Sequence, residues 1–151
     1  MLTERPDLDG IRIKERGSPN VWLVYHGRRH RIASPGAFIA LFHDDAELIY
    51  HDDLATIKLG REINEGSCLV QGETSSAIYL ITGFPVIKIK KHPIGSWESF
   101  LDYGFNIEKV ERVKSIVLDA VPIGKEITAA KDRVRRKEAW LAEVAMNQSP
   151  P

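Results

Sequence analysis

Cysteine is the scarcest residue of this chain. Cys68 stands alone in 151 residues, so no bridge can form within the molecule and the fold must rest on its core. One thiol points to neither an oxidising nor a reducing compartment. Long apolar runs are missing too: no stretch approaches the roughly 20 apolar residues of a membrane-spanning helix. Residues 1–7 carry no apolar segment of the export-signal kind, which makes a cytoplasmic location the default expectation. Charge of one sign is not in excess, with 21 Lys and Arg against 21 Asp and Glu. The whole molecule therefore has no long-range field to draw in nucleic acid or an anionic membrane, and any such role needs a local patch. Gly-rich phosphate loops, cysteine pairs, Gly-x-Ser-x-Gly and His-Glu-x-x-His are all absent. No local signature argues for turnover, and no cofactor is implied.

What is present is a pattern stated twice. Residues 21–25 are β-branched and aromatic, His26-Gly27-Arg28 supplies a turn, and residues 29–32 return as a second strand. Ser34-Pro35 then offers a capping hydroxyl followed by a proline at the first helical position. Phe38, Leu41 and Phe42 fall on one helical face. The spacing predicts a hairpin followed by a short amphipathic helix. The second copy has residues 78–82 as a strand, Gly83-Phe84-Pro85 as the turn and residues 86–90 as the return strand. Ser96 is its cap, for a helix carrying Phe100, Leu101 and Tyr103.

Each copy ends alike, with Ile57-Lys58-Leu59-Gly60-Arg61-Glu62-Ile63 matched by Val121-Pro122-Ile123-Gly124-Lys125-Glu126-Ile127. Two small insertions lengthen the second copy, the larger expected near residues 90–95. Further strands are expected at 11–14, 47–50 and 66–70. A helical turn carrying Leu54 and Ile57 is expected to stop at Gly60 in the left-handed conformation.

The expected fold is α+β: two similar antiparallel β-hairpin and short-helix units packed pseudo-symmetrically, plus a C-terminal helix. The boundaries are an N-terminal tail at 1–9, units at 10–63 and 64–127, a helix at 128–146 and a disordered tail at 147–151. At this length a single domain buries roughly two thirds of its unfolded surface. A small sheet with one short helix leaves an apolar face too large to stay wet, and two such units can cover each other.

The string Trp22-Leu23-Val24, Gly27-Arg28-Arg29, Ile32, Ser34-Pro35, Phe38 resembles a tandem module of bacterial surface and cell-wall-associated proteins, often attached to extracellular hydrolase domains. The resemblance runs from Gly10 to Ile127. It implies attachment or spacing rather than turnover, and a cell-surface location. The second copy departs from it, with Phe84-Pro85 in place of the basic pair and Trp97 in place of the proline after the cap.

Three clusters carry candidate chemistry. On the first hairpin, Trp22 and Tyr25 could stack on a sugar face while Arg29 and Arg31, sharing one strand face, meet an anion. Tyr79 and Lys88 are the corresponding residues of the second copy. The ordinary alternative is a solvated hairpin over a packed tryptophan. The triplets His43-Asp44-Asp45 and His51-Asp52-Asp53 have ligand types suited to zinc, manganese or iron, and His43, Asp44, His51 and Asp52 would serve a small metal-dependent hydrolase. Adjacent aspartates point apart, and the ordinary reading is caps and exposed loop residues. The basic run from Lys131 to Lys137 could meet nucleic acid, although Asp132, Glu138 and Glu143 suit a solvated helix surface. Cys68, in an apolar strand with no histidine beside it, reads as a structural thiol. Together these favour a non-catalytic binding or structural module. A carbohydrate or bacterial envelope polymer is the first partner expected and a protein the next.

Overall fold

The structure, a computed structural model, describes residues 1–43, 47–83 and 88–148. Among these the chain is mixed α and β, with a three-stranded sheet, a four-stranded sheet and four helices, the last of them C-terminal. The first sheet is an antiparallel meander of β1 (Arg12–Lys14), β2 (Val21–Tyr25) and β3 (Arg28–Ile32). His26 and Gly27 both take positive φ, 51° and 74°, as a two-residue hairpin turn requires. Asp9 Oδ1 accepts the Gly27 N–H at 2.9 Å and fixes that turn from outside. Next comes α1 (Pro35–Ile39), whose Ser34 hydroxyl accepts the Ala37 N–H.

The second sheet comprises β4 (Cys68–Gly72), β5 (Ile78–Thr82), β6 (Lys90–Pro93) and β7 (Glu111–Val113), in the order β6-β5-β4-β7. α2 (Trp97–Asp102) is capped by Ser96, α3 is Ser115–Asp119, and α4 is Ala130–Asn147.

Several expectations need correction. β7 pairs with β4 in parallel, so the second sheet is not wholly antiparallel. The return strand of the second hairpin begins at Lys90, opposite Thr82, later than expected. Phe84, Pro85 and Val86 lie outside the described residues. The expected strand at 47–50 contracts to one parallel bridge, Ile13 to Ile49. Gly60 is not among the glycines with positive φ. It is needed for space instead, because a Cβ there would strike the His30 ring. The N-terminal tail is a strap: Thr3 bridges Ile57, Arg5 N–H donates to Gly27 O, and Leu8 is buried.

Two cores result. The larger joins Leu23 and Tyr25 of β2, and Phe42 just past α1, to Leu80 of β5, Phe100 of α2, and Tyr103 and Phe105 just past it. The smaller lies on the other side of the first sheet, where Leu8, Ile13, Trp22, Val24, Leu54 and Ile57 meet. The halves touch through backbone as well. His43 N–H donates to Gly104 O at 3.2 Å and Asn106 N–H to Leu41 O at 2.9 Å, flanking a bridge between Phe42 and Phe105 whose rings stack at 5.4 Å. Each such aromatic, fully withdrawn from water, contributes about 2–3 kcal/mol.

Candidate functional site

The first hairpin spends its distinctive side chains on the fold. Strand alternation puts Trp22 and Tyr25 on opposite faces of β2, Trp22 in the smaller core and Tyr25 in the larger, and both are buried. They cannot stack on one sugar ring. Arg29 lies over the Trp22 ring at 4.6 Å, and its Nε donates to Ile57 O at 2.9 Å. Arg31 pairs with Glu62 at 2.6 Å. On the second hairpin Tyr79 is half-buried beneath Lys91, whose Nζ sits 5.2 Å from the ring centroid and donates to Leu118 O at 2.9 Å. Lys91, not Lys88, is the cation over the Tyr79 ring, as Arg29 is over that of Trp22. Lys88 is exposed, outside any strand, because β6 starts two residues later.

Two histidines do similar work. His30 Nδ1 faces Arg61 O at 2.7 Å and Nε2 faces Tyr25 O at 3.1 Å, while the ring stacks on Tyr25 at 3.6 Å. A neutral ring carries one N–H, and we assign it to the shorter contact. Burial pushes His30 down to about 4. His92 Nδ1 faces Lys125 O at 2.8 Å and Nε2 faces Thr82 Oγ1 at 3.1 Å; burial lowers its pKa, as it does that of His26, whose ring lies 5.5 Å from His92. Each ring rests where a glycine leaves room: a Cβ on Gly124 would come within 2.6 Å of His92 Cε1, and one on Gly60 closer still to His30. Neutral rings bonded to backbone are frame elements, not free bases.

Three charged groups hold the joint between the halves: Arg12 and Asp9, to which the sequence reading gave no role, and Asp132, which is buried and not on the solvated helix surface expected of it. Arg12 is buried and donates to the carbonyls of Gly10, Asp102, Tyr103 and Glu47. Asp132, on the first turn of α4, accepts from the hydroxyls of Ser96 and Ser99, and Ser99 accepts the Ala129 N–H at 3.0 Å. Burial works to raise the Asp132 pKa, yet the two hydroxyls and Arg136 hold it below the usual carboxylate range. Asp9, raised by burial, pairs with Arg133 at 3.4 Å. A sequence signal existed for the histidines, since Arg28-Arg29-His30 and Lys90-Lys91-His92 are similar strings. None existed for Arg12 or Asp132.

Of the triplets, His43 is exposed, His51 Nδ1 accepts the Asp53 N–H at 3.2 Å, Asp52 pairs loosely with Arg16 and Asp53 with Arg5. Asp44 and Asp45 lie outside the described residues. Among the described residues no group of three or more His, Cys, Asp or Glu could hold a metal ion. The basic run on α4 is divided: Arg133 and Arg135 are tied to Asp9 and Asp102, Arg136 to Asp132, while Lys131 and Lys137 are exposed. No described helix is long and apolar enough to cross a membrane.

Two concavities stand out. A cleft of about 380 Å³ between the halves, as apolar as it is polar, has Arg12, Asp9, Glu47 and Lys131 in its wall with Ile49 and Leu101. An apolar groove of about 540 Å³ beside α1 is lined by Pro19, Val21, Ile32, Pro35, Phe38, Ile39 and Leu48, with Asn20, Arg31 and Ser34 at its edges. Compared with protein-family models, with curated proteins and with solved structures, the chain matches none.

Proposed function

We propose that the chain is a non-catalytic binding module, built from two similar hairpin-and-helix units, that takes an apolar stretch of a protein partner into the groove beside α1. One observation carries this reading. The groove is open and apolar, with Ile39 and Leu48 about half exposed at its rim, whereas Trp22 and Tyr25 are buried and Arg29 and Lys91 donate to backbone carbonyls. The doubling is supported by contacts that recur in order. Arg29 bridges Leu59 as Lys91 bridges Ile123, Ile32 bridges Ile63 as Ile94 bridges Ile127, and Ser34 and Ser96 cap their helices alike. The resemblance to a bacterial surface module agrees with attachment without turnover.

A glycan or envelope polymer is the second reading. The cleft favours it, because Glu47 and Lys131, exposed in its wall, suit sugar hydroxyls. The two are separated by offering the whole protein a displayed peptide library and a glycan array, alongside the double variant Ile39→Asp, Leu48→Asp. Selection of peptides with clustered apolar residues, lost about tenfold in the variant, is expected. Glycan retention by both proteins with no peptide selected overturns the groove in favour of the cleft.

A further inference from the structure

One edge of the joint between the halves is made of imidazoles. His26, at the tip of the first hairpin, donates from Nε2 to Glu126 O at 2.9 Å, and His92 of β6 donates from Nδ1 to the neighbouring carbonyl, Lys125 O, at 2.8 Å. The loop that leads into α4 is therefore held at two successive carbonyls, by one ring from each half. The rings of His26 and His92 lie 5.5 Å apart, and Tyr25 continues the row to His30. Among the described residues His26 is the one residue other than glycine with positive φ, at 51°. Asn or Gly would suit that turn position better, and what sets the imidazole apart from them is the reach of its ring across the joint.

No counter-ion stands ready for a charge on either ring. His92 and Lys125 act on His26 as like charges, Lys90 does the same to His92, and His26 and Arg28 to His30, while Arg61 bears on Tyr25. The nearby carboxylates are engaged elsewhere. Glu4 packs under the turn but pairs with Arg28, Asp9 binds the Gly27 N–H and Arg133, and Glu126 meets His26 through its backbone while its carboxylate lies beside Gly95. Both rings are half-buried, so burial and cationic neighbours oppose charging while water still delivers the proton.

The sign follows from linkage. Burial holds both rings below the ordinary 6.5, so their neutral contacts are complete above about pH 6.5 and are lost as pH falls through the folded values. Asp9 shifts the other way, raised by burial, so its protonation favours the folded turn. What acid loosens is the side of the turn that faces residues 125 and 126. We infer that His26 and His92 form an acid-released latch: with both rings neutral the hairpin tip is docked on Lys125 and Glu126, and charging the pair undocks it while the stacked Phe42 and Phe105 keep the halves joined. Thr128 O, three residues from Lys125, receives Tyr103 and Arg133, so the latch bears on the root of α4. It is independent of what the groove beside α1 binds.

Nuclear magnetic resonance of the full chain, titrated from about pH 7.5 to about pH 4, tests it. Both rings are expected to titrate below 6.5 in the folded protein. His92→Gln should raise the His26 value, because a like charge has gone. Cross-relaxation between the His26 ring and residues 125 and 126 should vanish as the rings charge, with that between Phe42 and Phe105 retained. Wild type alone decides the release, whatever the fate of the variant. Rings that titrate at 6.5 or above, a His26 value indifferent to His92→Gln in a folded variant, contacts that persist with both rings charged, or loss of both sets of contacts together would overturn the latch.

Discussion

Acidification from about pH 7.5 to about pH 5 should remove roughly 2 kcal/mol of folding stability through His30 alone. The ring is 5 % exposed, stacked on Tyr25, and held by burial at about 4, against an unfolded value near 6.5. Because the folded pKa is the lower one, the unfolded chain takes up a proton first as pH falls. The contribution of the neutral ring is therefore complete above about pH 6.5 and is lost as pH drops towards 4, where the loss reaches about 3 kcal/mol. A domain of this size has only some 5–15 kcal/mol in hand, so the change is large. Urea unfolding at a series of pH values, with wild type and His30→Gln compared, isolates the residue, since His26, His92 and the carboxylates titrate in both. The variant's stability should fall less steeply, and the difference between the two curves should change by about 2 kcal/mol across the window. A constant difference, or an imidazole resonance of His30 that titrates near 6.5 in the folded protein, would refute the reasoning.

Other outcomes follow from the same contacts. Gly124→Ala should cost about 1–3 kcal/mol, because the new methyl group and the His92 ring claim the same space, and chemical denaturation reads it directly. Asp132→Ala strips the acceptor from Ser96 and Ser99 and should lower stability by about 1–3 kcal/mol, with amide exchange in α4 accelerating before that of the sheets. Trp22→Ala should lose about 3–5 kcal/mol as a core truncation, and a variant that melts like wild type would show that Trp22 does not pack as described.

The parts legible in the sequence are those governed by neighbouring residues. Ser34 and Ser96 announce their helices because a cap, its N–H partner and the first turn sit within four residues of one another. The first hairpin is legible for the same reason. What escaped depends on pairings between distant segments. Glu111–Val113 is three residues long and mostly exposed, without alternation, and it becomes a strand only because β4 offers an open edge. The strap at residues 3–8 looks like a polar tail, since its anchors are backbone groups and one leucine. Period-two alternation alone was enough to part Trp22 from Tyr25, yet it gave no reason to expect both faces of the sheet to be covered. Arg12 reads as a solvated strand residue until the chain turn at Gly104 brings carbonyls around it.

The stacked Phe42 and Phe105, with the two amide bonds beside them, have a consequence for how the molecule is made. During synthesis Phe42 is added several seconds before Phe105 exists, at ordinary rates of about 5–20 residues per second. For that interval its sticky edge has no native cover. The newborn first half thus carries an uncovered apolar edge until the second is made, the condition under which chains aggregate.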